Sequence, residues 1–108
     1  MTSYKFADVV LVLFLQPDGG RKQRPALVIL DTGDDDVVLA PITSKERDGR
    51  GDDRIKNWGQ ASLLSTSWVR LAKVACINKE DIVRKLGRLS SGDVRNVVSV
   101  WDKLYKLK

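Results

Sequence analysis

The chain has 108 residues, of which 43% are hydrophobic and 31% are charged, and its net charge is +5. These values predict one folded domain over residues 1–108 and exclude both a disordered chain and a two-domain protein. The excess of Lys and Arg favours an anionic partner, either nucleic acid or an acidic protein. The sequence contains no histidine and a single cysteine, Cys76. Histidine-activated nucleophiles and an intramolecular disulfide are therefore excluded.

The first apolar run, residues 9–15, is too short to cross a bilayer. It is also not preceded by a basic leader, and no small-residue cleavage site follows it. A lone cysteine fits a reducing compartment. We therefore expect a cytoplasmic protein.

Three short apolar segments, residues 9–15, 26–31 and 37–42, lie close together near the N-terminus. Turn-forming Pro, Gly and Asp residues separate them. No crossover helix fits between them, so we predict an antiparallel meander. The second segment lacks polar alternation, which predicts burial on both of its faces. The basic residues 21–24 are predicted to form the loop before it.

The middle of the chain has weaker patterns. Residues 44–54 are polar and glycine-containing, which predicts a mobile loop, and residues 55–58 are predicted to form a short strand. Residues 68–77 alternate with period two, which predicts one half-buried strand with Arg70 exposed and Cys76 in the core. Residues 79–86 are predicted to form a short helix that ends near Gly87.

The last segment predicts a clear amphipathic helix. Ser90 and Asp93 resemble a capping box at its start. Apolar residues then recur at helical spacing: Val94, Val97, Val98, Trp101 and Leu104. We expect this stripe to pack against the sheet rather than a membrane.

Arg24 and Thr43 are the strongest candidates for chemistry. Pro25 holds Arg24 in an extended conformation at the start of a strand, and Thr43 follows the third strand. Neighbouring strands of a meander run in opposite directions, so we expect Thr43 to lie beside Arg24. A guanidinium and a hydroxyl at one mouth of a small barrel form a phosphate site. The acidic clusters at residues 34–36 and 52–53 lack metal-loop spacing, so we expect no metal.

Several segments, in order along most of the chain, resemble the MazF/PemK family of toxin endoribonucleases, in particular its PemK-like branch. They are residues 8–12, 24–29, 40–44, 63–71 and 83–90. The most specific part is the Arg-Pro strand followed by the strand end Pro-Ile-Thr-Ser. In this comparison Arg24 and Thr43 match the family's catalytic arginine and catalytic hydroxyl residue.

The resemblance implies a mainly β protein with α content (α+β): a small SH3-like antiparallel β-barrel with a C-terminal amphipathic helix, similar to CcdB and PemK. It implies a homodimer that cleaves single-stranded RNA at selected sequences without a metal or cofactor. Such a protein is the toxin of a type II toxin–antitoxin pair. Its partner is an antitoxin with an acidic, flexible tail, and DNA is contacted only through the antitoxin complex.

Other residues are also predicted to bind the RNA. Their cationic and hydroxyl groups would contact its phosphates, and one aromatic ring would stack on a base. They are Arg21, Lys22, Ser44, Lys45, Trp58, Ser67 and Arg70. One departure from the family is that no charged residue lies between Gly59 and Val69, where some members carry an acid or a second arginine. Asp18 or another loop carboxylate is an alternative source of a base.

Two other functions fit the same pattern. One is a CcdB-type toxin that poisons gyrase through the same barrel, and the other is a nucleic-acid-binding module without catalysis. The pairing of Arg24 with Thr43 favours the nuclease, because a gyrase-binding protein has no use for a phosphate site.

Overall fold

The structure, a computed structural model, describes residues 2–107. Seven strands and one helix lie within these residues: β1 (Asp8–Leu15), β2 (Arg21–Leu30), β3 (Asp36–Thr43), β4 (Asp52–Ile55), β5 (Ser67–Arg70), β6 (Ala75–Asn78), β7 (Ile82–Arg88) and α1 (Ser91–Leu104). Short 3-10 turns at Leu71–Lys73 and Lys79–Asp81 flank β6. Within the same residues, no helix has the length and apolar character needed to cross a membrane.

All strand pairs are antiparallel, in the order β4-β5-β3-β2-β1-β7, and β6 also pairs with β3. The predicted meander of the first three strands is confirmed, as is the mainly β class with a C-terminal helix. The predicted closure into a barrel is not found, because β4 and β7 remain the two edges of the sheet in the described part of the chain.

The central strand β2 is buried on both faces because its alternate residues enter two separate clusters. Leu27 packs on one side in the cluster that contains Val97 of α1. Ala26 and Val28 pack on the other side. Burial of this strand on both faces is therefore confirmed for its middle, whereas Leu30 at its end is 53% exposed.

The basic residues 21–24 belong to β2, so the predicted loop is wrong. Arg21 pairs with Leu15 and Arg24 with Val12, because the β1–β2 hairpin continues to a tight turn. In that turn, the N–H of Gly19 donates to the carbonyl of Gln16. Gly19 has a φ of +87°, which glycine adopts without steric cost. This extended hairpin places Arg24 on a paired strand rather than on a loop.

The predicted single strand at residues 68–77 is also wrong. β6 and β5 pair with successive parts of β3, and the first 3-10 turn separates them. Along β3 the pairing with β6 extends to Leu39 and the pairing with β5 begins at Ile42. Pro41, which has no N–H to donate, lies in the gap. The interruption between β5 and β6 therefore lies opposite the proline in β3.

Four further predictions fail in this region. Residues 52–54 form β4 together with Ile55. The loop predicted to reach residue 54 therefore ends before residue 52, and the strand predicted at residues 55–58 instead ends at Ile55. Residues 79–86 form a 3-10 turn and most of β7 instead of a helix, because this segment pairs with the free side of β1. Cys76 is exposed and is not a core thiol.

The helix α1 is confirmed. Ser90 is its N-cap, and the Ser90 hydroxyl accepts the N–H of Asp93 at 3.2 Å. Val97 is buried, and the neighbouring apolar side chains pack on the same cluster: Val94, Val100, Trp101 and Leu104. Val98, predicted to be in this stripe, is 41% exposed because it lies at the margin of the packed face.

Candidate functional site

Arg24 and Thr43 lie opposite each other on β2 and β3. The register aligns Ala26 with Pro41, and continuing it by two residues places Arg24 opposite Thr43. Opposed residues of an antiparallel pair share one face. Both residues line a single cavity of about 520 Å³, named here the Arg24 cavity. The predicted juxtaposition of the two residues is confirmed, and their catalytic roles remain predictions.

Arg24 is exposed at the cavity while its backbone is paired with Val12 of β1. No carboxylate pairs with its guanidinium among residues 2–107. Such a group is able to take two oxygens of one phosphate through parallel N–H bonds. Because its strand is rigid, little conformational freedom is lost when an anion binds.

The Thr43 hydroxyl closes the turn that follows β3. Its oxygen accepts the backbone N–H of Lys45 at 3.1 Å. The bond fixes the position of the oxygen, and the hydroxyl proton stays available for donation to a phosphate oxygen. Ser44, the residue between them, is exposed and also lines the cavity.

Another part of the lining of the Arg24 cavity is formed by residues 62–67, named here the serine wall, which lead into β5 beside Thr43. Ser67 is 4% exposed, and its hydroxyl donates to the carbonyl of Ser65 at 3.0 Å. That bond uses the hydroxyl proton of Ser67 to hold the turn. Leu64 in the same wall is 98% exposed. The serine wall is therefore a turn that is held by a hydrogen bond, exposes an apolar side chain and carries no charge.

Asp93 holds the segment that leads into the serine wall. It is 2% exposed, and its carboxylate accepts the backbone N–H groups of Lys56 and Asn57 at 3.0 and 2.9 Å. The Ser90 hydroxyl donates to the same carboxylate at 3.1 Å. The N-terminus of α1 is thereby tied to the chain just after β4. The predicted capping pair thus also anchors a loop more than thirty residues away.

Gly87 of β7 is in close contact with the backbone just before the serine wall. A Cβ at this position would lie 2.9 Å from the carbonyl oxygen of Ala61. Real Cβ atoms do not approach backbone this closely, so the loop before the wall rests directly on β7. Gly87 was predicted only as a helix end, and its packing role comes from pairing with Val9 of β1.

Asp53 lies on β4 near this anchor, and its Oδ2 is buried without a hydrogen-bond partner among the described residues. Burial raises the pKa of the Asp53 carboxyl above its ordinary value. The negative charge of Asp93 raises that pKa further, and Lys56 opposes the shift in part. The charged form of Asp53 is thus disfavoured where it stands.

The predicted site omits four polar residues that line the Arg24 cavity: Gln23, Ser62, Ser65 and Arg84. Gln23 was assigned to a loop, although its place beside Arg24 in a hairpin was a usable signal. Arg84 was assigned to a helix, although Ile82 and Val83 before it favour a strand. The rest of the floor is apolar: Leu11, Pro25, Ile42, Leu63 and Leu86.

Some predicted RNA-binding residues do not line the cavity: Arg21, Lys22, Lys45, Trp58 and Arg70. The first three are exposed. Trp58 is half-buried and packs against the core beneath α1. Arg70 donates from Nε to the Asp52 carboxylate at 3.2 Å, so its charge is already paired. Among the residues predicted to bind RNA, the structure brings only Ser44 and Ser67 to the cavity.

Residues 5–104 match the model of the family described as the PemK-like, MazF-like toxin of type II toxin–antitoxin systems. The chain belongs to this family. The predicted family is thereby confirmed over almost the whole length of the sequence. No curated protein sequence matches the chain significantly.

Solved structures agree with the MazF-like fold. A mycobacterial endoribonuclease in complex with its cognate antitoxin aligns with a TM-score of 0.78 at 14% identity, covering 98% of each chain. Another mycobacterial endoribonuclease aligns at 0.76 and 15% identity, covering 99% of this chain and 95% of its own. The Mycobacterium tuberculosis toxin MazF-mt6 aligns at 0.71 and 20% identity, covering 92% and 98%. At these identities the likeness establishes the fold.

Proposed function

We propose that this MazF-like toxin is a sequence-selective endoribonuclease that acts as a single domain on single-stranded RNA in the cytoplasm. The observation that carries the proposal is the unpaired guanidinium of Arg24 opposite the Thr43 hydroxyl, at the mouth of one cavity. Family membership and the fold shared with proteins described as endoribonucleases support it.

The reaction needs little from the protein because RNA supplies its own nucleophile. The 2′-OH attacks the adjacent phosphorus, a new P–O2′ bond forms, and the P–O5′ bond breaks. The products are a 2′,3′-cyclic phosphate and a free 5′-OH, and one proton moves from the 2′ oxygen to the 5′ oxygen. Catalysis then consists mainly of positioning and of stabilising the charge that builds on phosphorus.

In this mechanism Arg24 stabilises the pentavalent transition state through two N–H bonds, and Thr43 orients the scissile phosphate. Ser44 and Ser65 at the cavity supply further hydroxyl contacts to phosphate or sugar. No carboxylate lines the cavity among the described residues. A guanidinium is a permanent cation with no acceptor, so Arg24 serves here as an electrostatic group rather than as a base.

The partners follow from the same proposal. An antitoxin whose acidic, flexible segment occupies the Arg24 cavity would neutralise the unpaired guanidinium and block access of RNA. DNA contact would come only through that complex. We further propose a homodimer, which sedimentation equilibrium of the purified chain tests directly; a single species at the monomer mass contradicts it.

The decisive experiment incubates the purified protein with a long unstructured RNA in the presence of EDTA. Cleavage that leaves 2′,3′-cyclic phosphate ends supports the metal-independent nuclease. RNA binding without cleavage identifies a binding module instead. In a parallel reaction with gyrase, plasmid DNA and Mg²⁺, gyrase-dependent DNA breaks identify a gyrase poison. Either of these last results overturns the proposal.

Replacing Arg24 by Ala is expected to reduce the cleavage rate at least about 100-fold, as for loss of one charge-stabilising donor. The free energy of unfolding should change by less than about 0.5 kcal/mol, because the side chain is exposed and unpaired. Arg54→Ala is the matched control, since Arg54 is an exposed strand arginine outside the cavity. Undiminished cleavage by Arg24→Ala would rule out the assigned role.

A further inference from the structure

Arg84 on the edge strand β7 faces two cavities. One is the Arg24 cavity, where Arg84 lies opposite Leu11 in the strand register. The other has a volume of about 500 Å³ and lies between β7 and the N-terminal segment, and it is named here the β7 cavity. Among the residues that line these cavities, Arg84 is the one they share. The two cavities therefore share the residue Arg84.

The other cations of this region are already committed to carboxylates. Lys85 and Arg88 both contact Asp8, at 3.1 and 3.0 Å, and Lys79 contacts Asp31 at 2.9 Å. No carboxylate pairs with Arg84 in the part of the chain that the structure describes. Arg84 is thus the cation of β7 whose charge is left for a ligand.

These ion pairs persist at neutral pH. Burial by itself raises the pKa of the Asp8 carboxyl, but the N–H of Lys5 and the side chains of Lys85 and Arg88 outweigh it and hold the pKa below its ordinary value. For Asp31, the N–H groups of Tyr4 and Gly33 and the Lys79 ammonium lower the pKa to about 2. Both carboxylates stay charged and keep their cations, whereas Arg84 has no carboxylate partner among the described residues.

The β7 cavity has the features of a nucleotide site. Its volume lies within the range of about 300–1,000 Å³ that is usual for small-molecule pockets. Thr2 and Ser3 supply hydroxyls that can bond a sugar, and Tyr4 lines the cavity while it packs against the core cluster that contains Val28, so only the exposed part of its ring is open to a base. The lining also contains the carboxylate of Asp8, which is paired with Lys85 and Arg88, and that of Glu80. Single-stranded nucleic acid is bound by this combination of cations along the backbone and aromatic platforms.

We propose that RNA bound at the Arg24 cavity crosses β7, placing its neighbouring nucleotide in the β7 cavity and the phosphate between the two nucleotides on the Arg84 guanidinium. The inference rests on the proposed function, because it extends the path of the same substrate. Arg84 is here a substrate-binding residue, and it takes no part in bond making or breaking.

The test measures RNA affinity by fluorescence anisotropy in the Arg24→Ala background, so that bound RNA is not cut. Adding Arg84→Ala is expected to weaken the binding of an unstructured hexanucleotide roughly tenfold, as for loss of one charge-assisted contact. The slope of log affinity against log salt should fall by about 0.7, the value for one phosphate on a single strand. Arg84→Lys should keep that slope and lose only part of the affinity.

Substrate length provides a second readout. Lengthening the RNA from two to four nucleotides should increase affinity with Arg84 present and change it by less than about twofold in Arg84→Ala, because the added nucleotide loses its phosphate anchor. Arg54→Ala is the matched control, an exposed arginine on the opposite edge strand β4. It should change neither the length dependence nor the salt slope.

The outcomes separate this inference from the proposed function. If the wild-type chain cleaves RNA while Arg84→Ala binds as Arg54→Ala does, the path over β7 is wrong and the nuclease stands. If RNA binding depends on Arg84 but the wild-type chain does not cleave, the path is supported and the nuclease is wrong. Failure of the Arg24→Ala chain to bind any RNA, while wild-type RNA cleavage persists, also overturns the path.

Discussion

The two sides of the Arg24 cavity are built in different ways. The side with Arg24 and Thr43 consists of the ends of β2 and β3 just beyond their pairing at Ala26 and Pro41, and its geometry follows from the strand register. The serine wall, residues 62–67, has no strand partner along most of its length and is held by Asp93 and Gly87 from distant parts of the chain. The first side carries the positive charge of Arg24, and the second is an uncharged turn that bounds the cavity.

This difference predicts opposite responses to mutation. Arg24 is exposed and holds nothing in place, so replacing it should remove activity at little cost in stability. The residues behind the serine wall touch no substrate, so their replacement should reduce stability first and activity as a consequence. Three substitutions test this contrast, and their expected effects on stability run from large to small.

Asp93→Ala should have the largest effect, a loss of about 3 kcal/mol in the free energy of unfolding. It removes a buried acceptor and leaves the N–H groups of Lys56 and Asn57 without their partner. Urea titration followed by tryptophan fluorescence measures the loss. A decrease below about 1 kcal/mol would show that this anchor does not hold the wall.

Gly87→Ala should cost about 2 kcal/mol, because its Cβ meets the backbone of Ala61 at 2.9 Å and the loop must move. Gly59→Ala is the control, since a Cβ there has nothing within 4 Å. We expect the control to be within about 0.5 kcal/mol of the wild type. Equal stabilities for the two variants would contradict the close contact beneath the wall.

Asp53→Asn should have the smallest effect and the opposite sign. Burial and the charge of Asp93 raise the pKa of Asp53 in the folded state, so its carboxylate destabilises the fold at neutral pH. The variant should therefore melt at a higher temperature at pH 7. The gain should shrink as the pH falls through the folded pKa and vanish below about 3.8, where the acid is neutral in both states. A gain that is independent of pH would exclude this cause.

The same contrast explains what was predictable from the sequence. The meander, the α1 cap at Ser90 and the meeting of Arg24 with Thr43 depend on near neighbours, on turn residues and on strand reversal. Those signals are local, and each was confirmed. The family resemblance rested in part on the same segments, residues 8–12, 24–29 and 40–44, and added the expected chemistry.

The rest depended on partners far along the chain. Residues 82–88 form a strand because they pair with β1, and the only local sign of this was the β-branched pair Ile82 and Val83. Arg84 and Gly87 were misplaced with it, and so one edge of the cavity was missed. Arg70 resembled a phosphate ligand until its pairing with Asp52 across β4 and β5 was known. Charge alone does not distinguish a ligand-binding arginine from a structural one.

Pro41 divides the outer side of β3 into two stretches that are bonded to different strands. The stretch up to Leu39 belongs with β6, and the stretch from Ile42 belongs with β5. No backbone hydrogen bond from Pro41 couples the two stretches, so fluctuations that open one need not break the other. The Thr43 end of β3 can therefore lose its pairing with β5 while the far end keeps its pairing with β6.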